Sequence, residues 1–113
     1  MEASVHNNPR TVAEDLDLCD ARRIVKTGFD GYRVRLYLFG SRARGDAGRA
    51  SDIDIGVMPL ESVPPAVWSR VREALEDSNI LYHVDVVDLA NVSPEFRRNV
   101  ESEAIDWSDS ANV

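Results

Sequence analysis

Residues 40–55 carry Gly40-Ser41-Arg42-Ala43-Arg44-Gly45 and, a few positions on, Ser51-Asp52-Ile53-Asp54-Ile55. Upstream, Tyr32 to Phe39 alternates Val34, Leu36 and Leu38 with Arg33, Arg35 and Tyr37, the period-two pattern of a half-buried strand that runs straight into Gly40. Gly45 and Gly48, among small and charged residues, make 42–51 a loop or short helical turn. A second strand is expected from Asp52 to Val57. Along it Asp52 and Asp54 project from one face and Ile53 and Ile55 from the other.

These features have a chemical reading. Gly40 has no side chain to keep backbone away from a phosphate, and Ser41 adds an amide and a hydroxyl donor. Two carboxylates on one face repel each other. A divalent cation between them is the best explanation, and hard oxygen ligands point to Mg²⁺. A site with two such ions needs a third carboxylate. A third strand is expected from Ile80 to Val87, and Asp85 lies in it between Val84 and Val86. If the two valines face the core, Asp85 stands on the opposite face, where a neighbouring strand can bring it beside Asp52 and Asp54. Asp88 has the wrong parity and is expected to end the strand.

Further out the elements are helical. Residues 1–10 are polar and aperiodic and read as a flexible lead-in. Thr11 and Glu14 form a capping-box pattern, and Val12, Leu16, Cys19 and Ile24 approximate one face of a helix ending near Gly28. Val67, Val71, Ala74 and Leu75 give a second helix after Pro64-Pro65, and Ser93-Pro94 opens a last one with Phe96 and Val100 facing inward. Ile105 and Trp107 form a short docking segment ahead of a polar tail, 108–113. The order helix, strand, strand, helix, strand, helix indicates an α+β (α/β-like) domain, a small mixed sheet of three to four strands flanked by helices, over 11–107.

The 113 residues suit one hydrophobic core, and 43% hydrophobic with 29% charged residues is the balance of a folded globular chain. No stretch approaches the length needed to cross a bilayer and no basic-apolar leader is visible, so the cytoplasm is the expected compartment. Cys19 is the one cysteine, which excludes intramolecular disulfides and leaves it a small core residue by expectation. A net charge of −7 argues against broad nucleic-acid binding. Positive charge is local instead: of thirteen basic residues only Lys26 is lysine, and Arg42, Arg44 and Arg49 crowd the glycine-rich loop. Planar guanidinium groups there suit phosphate oxygens, so Arg42 and Arg44 join Gly40 and Ser41 as nucleotide-binding candidates. His83, Trp68, Trp107 and Tyr82 read as structural or packing residues.

A Gly-Ser, ten intervening residues and an Asp-x-Asp resemble the signature of the DNA polymerase β-like nucleotidyltransferase superfamily. The longer form, Gly-Ser-x-Ala-Arg-Gly leading to Ser-Asp-Ile-Asp-Ile, is similar to its smallest prokaryotic members, over roughly Phe29 to Leu89. The resemblance implies a nucleotidyltransferase fold with Gly40 and Ser41 on the phosphates of ATP. It also implies Asp52, Asp54 and Asp85 on two Mg²⁺ ions, with Asp85 helping to deprotonate the acceptor hydroxyl. Larger relatives carry a domain that holds the acceptor; this chain is expected to have none, so a partner is expected to support it. Minimal members are commonly paired with a helical HEPN-type RNase toxin. This chain would then resemble antitoxins that transfer AMP to a tyrosine hydroxyl of that toxin. Transfer to a small molecule or an RNA end, or neutralisation by occlusion without turnover, are the alternatives.

Overall fold

The computed structural model describes residues 9–44 and 52–108, with side chains from residue 16 onward apart from those of Ser41 and Arg44. The described elements are α1 (Pro9–Gly28), β1 (Val34–Phe39), α2 (Ser41–Arg44), β2 (Ile53–Pro59), α3 (Pro65–Glu76), β3 (Val84–Asp88), a 3₁₀ turn (Leu89–Asn91), α4 (Pro94–Glu103) and β4 (Ile105–Asp106). The strands form one mixed sheet in the order β3-β2-β1-β4. β1 runs antiparallel to both β2 and β4, while β2 and β3 are parallel and are connected through α3. The fold is thus α+β, as the order of elements indicates.

The core lies on the face marked by the alternating apolar residues. Leu36 and Leu38 of β1, Ile53, Ile55 and Val57 of β2, and Val86 of β3 are buried beneath α1 and α3. α3 begins at the double proline and buries Val67, Trp68, Val71 and Leu75; Ala74 is exposed. α1 crosses it closely: Phe29 meets the Trp68 ring edge-on at 4.9 Å, and a Cβ on Gly28 would overlap Val71. The opposite face is covered in part by the segment after β3. Leu89 lies over Gly56, and Phe96 of α4 meets Phe39 of β1 edge-on at 5.9 Å. Ser93 caps α4, its hydroxyl accepting from the Phe96 amide at 3.1 Å, as its place before Pro94 predicts. Val100 is buried, whereas Phe96 keeps 39% of its surface exposed.

Further expectations need correction, among them the strand bounds, since β1 starts at Val34 rather than Tyr32 and β2 spans Ile53–Pro59 rather than starting at Asp52. α1 starts at Pro9, so Thr11 is not its cap and residues 9 and 10 belong to the helix; residues 1–8 lie outside the described residues, as does the tail from 109. The buried stripe of α1 is Ala21, Val25 and Phe29, with Leu18 beside it, while Leu16 is 63% exposed and Cys19 is exposed. Leu16 sits roughly 160° around the helix from Leu18 at about 100° per residue, so the two cannot share a face. β3 starts at Val84 rather than Ile80: Val84 pairs with the first residue of β2, Ile53, and among the described residues no strand pairs with 80–83. The docking segment proves to be an edge strand: Trp107 is buried against the core, whereas Ile105 is 46% exposed.

Candidate active site

Strand parity and register assemble the site on the face opposite the main core. β1 hands the chain to Gly40 (φ +77°), which turns it into the single helical turn α2; the Ala43 amide donates to the Gly40 carbonyl at 3.1 Å. Asp54 lies opposite Phe39 in the antiparallel pair and opposite Asp85 in the parallel pair, so Asp54 and Asp85 are lateral neighbours on one face. The Ile53 amide donates to the His83 carbonyl at 2.9 Å, which ties the start of β2 to the approach to β3 and holds this register. Asp52 precedes β2 by one residue and is exposed, as is Asp85; Asp54 is half-buried.

Electrostatics reflect this convergence. Burial, and then the charges of Asp85 and Asp52, push the Asp54 carboxyl above its ordinary value, while His83 and Arg42 pull it back. Gly40 lies directly against the same group: a Cβ there would overlap an Asp54 carboxylate oxygen and come within 3.2 Å of its Cγ. Among the described residues, no three His, Cys, Asp or Glu side chains close on one point as a finished cage. The donor chemistry nonetheless fits a divalent cation whose coordination is shared with a ligand. Hard carboxylate oxygens share one face, their repulsion only partly offset by His83 and Arg42, and a side-chain-free corner beside them leaves room for phosphate.

Of the candidate phosphate contacts, Gly40 borders the Asp54 carboxylate and Arg42 acts on it through its charge. The Arg42 Nε donates to the Asp52 carbonyl at 3.4 Å, and its guanidinium lies 4.3 Å from the centre of the Tyr82 ring. The side chains of Ser41 and Arg44, and the loop 45–51 with Arg49, lie outside the described residues. A cleft of about 200 Å³ opens on the flank of Asp85, between α3 and β3, lined by Arg72, Glu76, Tyr82 and His83 among others. Arg72 closes its inner side by donating to the Val86 carbonyl at 3.0 Å. Tyr82 and His83 were read as packing or structural residues. Both border the site: His83, two residues before Asp85, shares its parity, whereas the placement of Tyr82 depends on the bend before β3 and has no signature in sequence spacing.

Known proteins resemble this chain in sequence and fold. The family model "Polymerase beta, Nucleotidyltransferase" matches residues 33–106. "Probable protein adenylyltransferase MntA" of Haemophilus influenzae is 34% identical over 62 residues, 55% of this chain. The chain spans about half, 54%, of that relative's length. A solved structure assigned as a minimal nucleotidyltransferase is 31% identical, with 93% of this chain and 95% of that one covered and a TM-score of 0.53. A toxin-antitoxin crystal structure with AMP-PNP is 25% identical, covering 76% of this chain and 71% of that chain with a TM-score of 0.60. No described helix is long and apolar enough to cross a membrane.

Proposed function

Because the chain belongs to the polymerase β nucleotidyltransferase family, we propose that it transfers AMP from ATP to a hydroxyl, that of a tyrosine on a helical HEPN-type RNase toxin, and thereby acts as the toxin's antitoxin. The observation that carries this reading is the in-register pair Asp54 and Asp85, with Asp52 on the same face and Gly40 against Asp54. The adenylyltransferase name of the H. influenzae relative and the AMP-PNP in the related toxin-antitoxin complex support the choice of adenylate and of a protein acceptor.

The residues divide the work. Gly40 admits the triphosphate to the turn beside Asp54, Ser41 adds its amide and hydroxyl, and Arg42 and Arg44 offer guanidinium forks to phosphate oxygens. Asp52, Asp54 and Asp85 would hold two Mg²⁺ ions through their carboxylate oxygens, and the ions would supply charge neutralisation on the phosphates and acidify the acceptor hydroxyl. Asp85, facing the cleft between α3 and β3, accepts the hydroxyl proton as the acceptor oxygen bonds to the α-phosphorus. The bond from that phosphorus to pyrophosphate breaks in line.

The test incubates the chain with α-labelled ATP, Mg²⁺ and the helical protein encoded by the adjacent reading frame. Label is expected on the partner and absent when Asp52→Asn and Asp54→Asn are combined. Label transfer that survives the double substitution sinks the assignment. Full inhibition of the partner in cells by the same variant would favour occlusion without turnover.

A further inference from the structure

We propose that Tyr82 is a positioning residue: its ring holds the Arg42 guanidinium over the carboxylate face in the orientation that receives nucleotide phosphate. The inference rests on the nucleotidyltransferase reading for its phosphate, and on the geometry alone for the positioning. Arg42 belongs to α2, immediately after the Gly40 turn, and Tyr82 to the bend before β3, so the contact joins the two segments that flank the site. The guanidinium carbon stands 4.3 Å from the ring centre, well inside the ~6 Å range of a cation–π contact. Nε is directed to the Asp52 carbonyl at 3.4 Å, which fixes the other end of the group. The charge of Arg42 acts on the Asp54 carboxyl, in keeping with that seat.

A ring can fill this role without occupying a hydrogen-bond donor. The N–H donors of arginine lie in the guanidinium plane, so stacking on an aromatic face takes none of them. Tyr82 is itself half-buried against the core, and so offers a fixed surface. Arginine carries about 2 kcal/mol of rotamer entropy, and ordering it before the nucleotide arrives removes part of that cost from binding. The ring, not the hydroxyl, supplies the effect.

The experiment uses the full chain with Mg²⁺ and AMP-PNP and compares wild type, Tyr82→Phe, Tyr82→Leu, Arg42→Ala and the Arg42→Ala/Tyr82→Leu pair by calorimetry. The contact's strength predicts that Tyr82→Leu weakens binding roughly two- to fivefold, while Tyr82→Phe retains wild-type affinity. Arg42→Ala is expected to weaken binding further, with no additional loss in the double variant. In turnover, Tyr82→Leu raises KM for ATP and leaves kcat near wild type. An undiminished affinity in a folded Tyr82→Leu chain overturns the proposal, and so does a further loss in the double variant, which would mean that Tyr82 meets the nucleotide directly. The Arg42 Nε–H NMR resonance supplies a readout free of nucleotide and of variant folding. A ring-current shift is expected in the wild-type chain, and a random-coil position there refutes the positioning outright. A shifted resonance without AMP-PNP binding would instead leave the contact standing and remove both the phosphate role and the nucleotidyltransferase reading.

Discussion

Asp54 and Asp85 occupy directly paired positions on the parallel strands β2 and β3, so two carboxylates that are distant in sequence stand side by side on one face of the sheet. Asp54 is half-buried there, and burial with the charges of Asp85 and Asp52 raises its carboxyl above the ordinary value. Such a pair costs stability in the bare protein and repays it when a cation binds. In chelator, Asp54→Asn is expected to melt no lower than wild type. On adding Mg²⁺ and ATP, the wild-type melting temperature rises and that of the variant does not. A clear drop for Asp54→Asn in chelator, seen by thermal denaturation, would contradict the account of the pair.

Gly40 and Gly31 both adopt positive φ, +77° and +94°, but only Gly40 has a neighbour where a side chain would go. Gly31→Ala is expected to cost about 1–2 kcal/mol, the left-handed backbone penalty alone. Gly40→Ala carries the same penalty and also displaces the Asp54 carboxylate. Its loss of stability should therefore be larger, and nucleotide binding should fall with it, while Gly31→Ala binds normally. Equal behaviour of the two variants in denaturant titration and AMP-PNP binding would show that the Gly40 corner is not special.

β4 is held at its edge by Asp106, whose carboxyl is kept below its ordinary value first by the Ser108 hydroxyl and also by the Ser108 amide and Arg35. The bonds are 2.7 Å from the Ser108 Oγ, 2.8 Å from its amide and 2.7 Å from Arg35 Nη2. A carboxyl with a depressed folded pKa contributes stability above its unfolded value of about 3.9, and that contribution is lost as pH falls through the folded value. Acidification below ~4 should therefore loosen β4, and Ser108→Ala should shift the loosening to higher pH. The side chain is 42% exposed, so the Arg35 share is screened and should weaken in salt. The emission of Trp107, buried just after β4, reports the change; an unaltered midpoint in Ser108→Ala would refute it.

Ser93 satisfies the Phe96 amide at the start of α4, the helix that covers Phe39 at the end of β1. Ser93→Ala is expected to lower stability by about 1 kcal/mol, and Ser93→Asp to retain it, since a carboxylate also caps. Urea denaturation of the three chains measures this. No difference between wild type and Ser93→Ala would mean that the cap bond contributes nothing to the folded state.

Local regularities carried much of this protein in plain sight. The alternation of Val34 to Phe39, the apolar stripe after Pro65 and the Ser93-Pro94 cap announced their elements, because side-chain periodicity and capping depend on neighbours within a few residues. The same parity separated Asp52 and Asp54 from Ile53 and Ile55, and Asp85 from Val84 and Val86. The buried face of α1 was less legible, since Leu16 and Cys19 are apolar yet exposed, and only packing against α3 selects Ala21, Val25 and Phe29. The parallel pairing of β2 with β3, the register that sets Asp85 beside Asp54, and the seat of Arg42 on Tyr82 belonged to the tertiary structure. They join segments dozens of residues apart, and whether such segments meet depends on how the helices between them cover the sheet, which no local pattern encodes.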